Sequence, residues 1–100
     1  MTLNQLEKIF EKYRHEDCEF ENILDPKHIR PDICAMLMFD EIQSRNDSQR
    51  QAGMISGAVH DKVYFDVNVG EFSEVVLKNE LIDLIRCGVF LEEGRFAMFV

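Results

Sequence analysis

Apolar residues at Leu3, Leu6, Ile9, Phe10 and Tyr13 recur at intervals of three and four, which predicts an amphipathic helix over residues 3–14. Thr2 can cap its start. On the polar face Glu7 repels Glu11 and Lys8 repels Lys12, while Lys8 attracts Glu11, so charge adds little and the apolar stripe must hold the helix down. Residues 15–25 fit no single period. Cys18, Phe20 and Asn22 alternate with acids as a short edge strand would, and Ile23 and Leu24 fit an anchor before the Asp25-Pro26 turn. In RPDICAMLMFDEIQSR, Pro31 suits a first helical position, Asp32 the positive end of a helix dipole and Arg45 the negative end. Ile33–Phe39 is apolar on nearly every side, so periodicity alone does not separate helix from strand. The helix formers Ala, Met and Leu, and the continuation to Ile42, predict a largely buried helix.

Residues 43–51, QSRNDSQRQ, contain no apolar side chain and read as an exposed loop between a helical half and a half rich in strands. Beyond it Val63, Phe65, Val67 and Val69 alternate with Tyr64, Asp66 and Asn68, the period of a strand with one buried face. Met54–Val59 can pair with that strand through a turn at His60-Asp61-Lys62, although Gly53 and Gly57 weaken it. Residues 77–87 give the clearest helix, with Leu77, Leu81, Leu84 and Ile85 on one face, Gly88 as a left-handed cap and Val89 as its apolar contact. A hairpin follows: VFL, then Glu92-Glu93-Gly94, then RFAMFV, with Gly94 supplying positive φ. Its apolar residues fall on both faces, which predicts a strand covered on both sides and a chain that ends inside the core. The expected architecture is α+β and a single domain over residues 1–100. Two N-terminal helices precede a β-β-α-β-β unit of about four mostly antiparallel strands packed against helices.

Composition supports one modest core. Hydrophobic residues make up 46% and charged residues 30% of 100 positions, with eight Phe and five Met available for packing. No apolar run is long enough to cross a bilayer, and the N-terminus carries charges at every turn, unlike a signal peptide. The expectation is a cytoplasmic protein with no membrane role.

Charge changes the picture most. The net charge is −8, and residues 15–25 hold five carboxylates without a Lys or Arg. Residues 51–76 set Lys62 alone against Asp61, Asp66, Glu71 and Glu74. A surface of this sign repels phosphates, so direct nucleic-acid binding is disfavoured, including a winged-helix reading of residues 77–100. It favours a protein partner with a basic surface, through a face built from Glu16, Asp17, Glu19, Glu21, Asp61, Asp66, Glu71 and Glu74. The sharpest form of that expectation is an inhibitor that mimics nucleic acid. A bland alternative is that the acids serve solubility, and a sheet edge could also pair two copies as a homodimer.

Catalytic signals are sparse, and the expectation leans against an enzyme. Cys18, Cys34 and Cys87 are widely spaced and lie in or beside apolar runs, as small hydrophobes do. His60-Asp61 matches a metal-phosphohydrolase dipeptide, yet stands in the predicted turn between two strands. His15 and His28 lack the spacing that puts two ligands on one helical face. A metal-dependent enzyme or module using His15, His28 or His60-Asp61 is therefore the alternative, and no cofactor is expected. Adjacent acids such as Asp40-Glu41 and Glu92-Glu93 would need a cleft that separates their pKa values before they could act as acid and base.

Overall fold

The fold is known from a computed structural model that describes residues 1–46 and 54–99. Helix α1 spans Leu3–Lys12, and two 3-10 turns follow at Arg14–Glu16 and Phe20–Asn22. Helix α2 spans Pro31–Gln43 and runs into a 3-10 turn at Ser44–Asn46. The second half contains β1 (Ile55–Val59), β2 (Lys62–Phe65), α3 (Val69–Val75), α4 (Lys78–Cys87), β3 (Phe90–Glu92) and β4 (Arg95–Phe99). The class is α+β, with an antiparallel sheet in the order β1-β2-β4-β3.

Local chemistry explains most boundaries. Thr2 accepts from the Gln5 N–H, and the Gln5 side chain accepts in return from the Thr2 N–H, a capping box that opens α1. Pro31 opens α2 where its missing N–H costs nothing. Gly88 takes φ 103° at the end of α4, and the Val89 N–H closes the turn onto the Leu84 carbonyl at 3.0 Å. The β3–β4 hairpin turns on Glu93 and Gly94, both with positive φ, in a two-residue connection that suits the twist of the strands.

The helices cover the face of the sheet that carries Val63, Phe65, Phe96 and Met98. Phe39 of α2 sits at the centre of this core, with ring centroids 4.7 Å from Phe65, 5.4 Å from Phe72 and 5.1 Å from Phe96. Phe10 of α1 meets Phe96 at 5.8 Å. Each such pair adds about 0.5–1.5 kcal/mol beyond its buried area. One Phe from each of α1, α2 and α3 thereby registers the helix layer against the two central strands.

Several expectations are corrected. Residues 15–25 form no edge strand but carry two 3-10 turns that pack against α4, and of the expected anchor Ile23 is buried in the core while Leu24 is 91% exposed. The strand containing Val63 and Phe65 stops at Phe65, and Val69 belongs to α3. Asn68 ends the alternation by capping that helix, its side chain accepting from the Glu71 N–H at 3.0 Å. The C-terminal hairpin is not covered on both sides by helices: β4 is an interior strand, yet Phe99 remains 69% exposed on the sheet face away from the core. The burial of β4 is confined to Phe96, Ala97 and Met98. In the stretch 43–51, Gln43 is a buried part of α2 and Arg45 is pinned to α4; residues 47–51 lie outside the described residues.

Candidate functional site

The sequence-derived acidic residues fall into separate groups. Glu16 is taken up structurally: it accepts from Arg86 Nε at 3.0 Å, and that hydrogen bond holds its carboxyl below the usual range. Glu19 precedes the second 3-10 turn and Glu21 lies on it, and the Glu21 carboxylate hydrogen-bonds and repels Glu19, raising its pKa. Asp61 stands in the β1–β2 turn, Asp66 follows β2, and Glu71 and Glu74 lie on α3. Residues 16–21 follow the C-terminal end of α1, while Glu71 and Glu74 flank Ser73, whose carbonyl accepts from the Met1 amine at the other end. About 15 Å of helix separates the two groups, so they do not form one patch.

Two acids that looked merely outward-facing in the sequence occupy the ground between them. Glu7 and Glu11 of α1 line a groove of about 600 Å³ between α1 and β3. Its apolar surface comes from Phe10, Ile85, Val89, Phe90, Leu91 and Phe99, and its polar rim from Glu7, Glu11, Arg14 and Asp17. A second hollow of about 400 Å³ continues it along α1, sharing Glu7 and Leu91 and adding Leu3, Val69 and Glu93. Phe10, Ile85 and Val89 are buried in the core, so the floor is rigid, whereas Leu3 and Phe99 are exposed at 44% and 69%. Among the described residues no hydrogen bond or ion pair engages the carboxylates of Glu7 and Glu11. Three acids against one Arg give this rim a negative field over an apolar floor.

The sheet face away from the core carries its own closed network. Glu92 accepts from the Tyr64 hydroxyl at 2.5 Å and from Lys62 Nζ at 2.9 Å, and these bonds hold its carboxyl low. The Arg95 guanidinium lies 3.9 Å from the Tyr64 ring centroid. Its two cations are thereby occupied, and Phe90 packs on Phe99 beside them at 5.3 Å. Glu93 lies 3.9 Å from Arg95, so two acids stand against the two cations of this surface.

The histidines do not converge. His28 Nδ1 accepts from the Arg30 N–H at 3.0 Å, His15 lies beside Tyr13 and Glu16, and His60 occupies the β1–β2 turn with φ 57°. Among the described residues no group of three or more His, Cys, Asp or Glu side chains is placed to hold a metal ion. Cys34 and Cys87 are buried together between α2 and α4, and burial followed by the Cys34 thiol pushes Cys87 well above the usual thiol range. Cys18 is exposed, and partial desolvation together with Asp17 raises it also. Neither change favours a thiolate nucleophile. No described helix is long and apolar enough to cross a membrane.

The β3–β4 hairpin is not a free wing, because β4 pairs with β2 on its other side. On α4, Arg86 is bound to Glu16 and Asp83. No family model matches the chain, and no curated protein or solved structure matches it. Its function must be argued from the groove.

Half of the groove had a sequence signal. Leu3, Glu7, Glu11 and Arg14 follow one helical stripe next to Phe10. The opposite wall needs the β3 edge to lie beside α1, a tertiary relation that periodicity does not carry.

Proposed function

We propose that the protein is a protein–protein interaction module whose groove between α1 and β3 receives a partner with a basic surface. The observation that carries this reading is the pairing of a rigid apolar floor with a rim of Glu7, Glu11 and Asp17. Apolar side chains of a partner would gain by leaving water at the floor. Lys or Arg beside them would be steered by the rim and would pair with Glu7 and Glu11, whose carboxylates have no partner among the described residues. Solubility alone gives no reason to gather Glu7, Glu11 and Asp17 around an apolar hollow. The interaction surface therefore differs from the sequence expectation: it keeps Asp17, adds Glu7 and Glu11, and leaves Glu16 as a structural ion pair.

The test compares the wild-type protein with Glu7→Lys/Glu11→Lys, both immobilised and exposed to host extract at low and high salt. Both positions are exposed on α1, so the variant should melt like the parent. A basic protein held by the wild type at low salt, released at high salt and not held by the variant is the expected result. Retention of the same proteins by both forms overturns the reading.

A further inference from the structure

Resting on that reading of the groove, we propose that the partner enters as an extended, Lys- or Arg-bearing segment that adds a fifth strand to the outer edge of β3. The hairpin geometry exposes the necessary groups. With a two-residue turn, Glu92 and Arg95 form the closing hydrogen-bonded pair, and Phe90 with Ala97 forms the next such pair. Leu91, between them, pairs with Phe96 without bonding to it, so its N–H and C=O turn away from β4 toward the groove that Leu91 itself lines.

The two edges of the sheet differ in their readiness for this. On β1 the register breaks between Ile55 and Gly57, and the Ser56 hydroxyl donates to the Tyr64 carbonyl. A bulge of this kind twists an edge out of pairing geometry. The register of β3 runs unbroken from Phe90 to Glu92. That strand is short, so backbone pairing alone would be weak, and the adjoining groove must supply the rest. The wall from Leu3 to Arg14 extends roughly 16 Å along α1, which matches about five residues of extended chain.

Charge selects the occupant. Every second side chain of an added strand would point to the helix side, over Phe10, Ile85 and Val89, with Glu7, Glu11 and Asp17 at the rim. Basic residues flanking apolar ones satisfy both. A second copy of this chain, paired β3 to β3, would bring a second set of the same acids against the first and is disfavoured by like-charge repulsion.

The probe is a short acetylated peptide, Lys-Thr-Leu-Thr-Leu-Thr-Lys, whose alternate positions put two Leu flanked by two Lys on one face of a strand, titrated into isotope-labelled protein and followed by NMR. Its controls are the same peptide with Glu for Lys, and the Lys–Leu peptide N-methylated at alternate residues. The expected result is shifts confined to α1 and β3, slowed exchange of the Leu91 amide, no binding of the Glu peptide and loss of binding on N-methylation. Glu7→Lys/Glu11→Lys should weaken the Lys–Leu peptide at least about tenfold, equivalent to about 1.4 kcal/mol. Asp61→Lys/Glu74→Lys, with the same change in net charge, should not. No shift at high peptide concentration, or shifts centred away from β3, overturns the proposal. Binding in the groove that depends on Glu7 and Glu11 yet leaves Leu91 exchange unchanged also overturns strand addition. That last outcome leaves the groove as a basic-partner site intact.

Discussion

Arg45 and Glu80 join three helices through one two-pronged ion pair. Arg45 Nη1 donates to Glu80 Oε1 and Nη2 to Oε2, both at 2.7 Å, and Nη1 also reaches the Val75 carbonyl at the end of α3. Glu80 Oε1 in turn accepts from the Leu77 N–H at 2.9 Å and caps the start of α4. The reciprocal half of a capping box is missing because Leu77 has no side-chain acceptor. Glu80 therefore has two roles and Arg45 one of them. Glu80→Ala should destabilise the fold by about 1–2 kcal/mol, since cap and fork are lost together. Glu80→Gln, which keeps an acceptor, should cost less, and Arg45→Lys should fail to restore the fork. Urea unfolding of the three variants checks the order; equal midpoints would show that the pair is only a surface contact.

Acid should unfold the protein through three carboxyls. The Arg86 bond lowers Glu16. Burial alone would raise Glu80, but Arg45 and the Leu77 N–H outweigh it, and Lys62 and Tyr64 lower Glu92. A carboxyl whose pKa is lower folded than unfolded stabilises the fold above the unfolded value, about 4.3, and that contribution is lost as pH falls through the folded value. Glu19 has the opposite sign: its raised pKa means that protonation favours the folded state and offsets part of the loss. Lys62, raised by Glu92 and Tyr64, contributes at neutral pH and loses its contribution only above about pH 10.4. The melting temperature should be flat near neutrality and fall below about pH 4.3. Glu80→Gln should flatten that acid limb, and an unchanged limb would remove Glu80 from the account.

The parts of the fold legible in the sequence are those fixed by local chemistry. Leu3, Leu6 and Phe10 marked α1, and Leu81, Leu84 and Gly88 marked α4 with its end, because period and caps are nearest-neighbour properties. Asn68 shows the limit. Val63 to Val69 alternates perfectly, and the competing signal, Asn68 followed three residues later by Glu71, was present but shorter than the run it interrupts. Phe99 shows another limit. Its hairpin is apolar on both faces, yet the face away from the core satisfies itself with Phe90 against Phe99 and with Lys62 and Arg95 over Tyr64. Side-chain self-coverage of that kind is invisible to alternation. The acidic surface was legible as composition but not as place, because the fate of each carboxylate depends on partners such as Arg86, 70 residues from Glu16.

The three cysteines should separate cleanly in a thiol titration. Cys34 and Cys87 are buried, and Cys87 is held protonated by burial and by Cys34. Cys18 is exposed, but desolvation and Asp17 raise its pKa. A disulfide-exchange reagent should therefore modify one thiol per folded chain, slowly at neutral pH and faster as pH rises, because the thiolate is the nucleophile. Asp17→Asn should speed that reaction at a given pH. Cys34 and Cys87 should react only as fast as the protein unfolds. Rapid modification of all three in native buffer would mean that the contact between α2 and α4 opens readily.

The strongest single constraint on the sheet lies in β4. Phe96 closes a ring cluster with Phe10, Phe39 and Phe72, Met98 fills the same layer, and Ala97 is buried on the opposite face between Tyr64 and Phe90 in register. β4 also bridges β2 and β3, so its removal leaves two unpaired edges and empties the core at once. Removing residues 96–100 should abolish cooperative unfolding. A milder change separates packing from pairing: Phe96→Ala keeps every backbone bond and should cost about 3–5 kcal/mol through the cavity it leaves. Ala97→Leu tests the other face, where extra bulk between Tyr64 and Phe90 should cost about 1–3 kcal/mol through overpacking. Thermal melts of the two variants check the assignment. A Phe96→Ala protein as stable as its parent would show that the phenylalanine cluster does not hold the helices to the sheet.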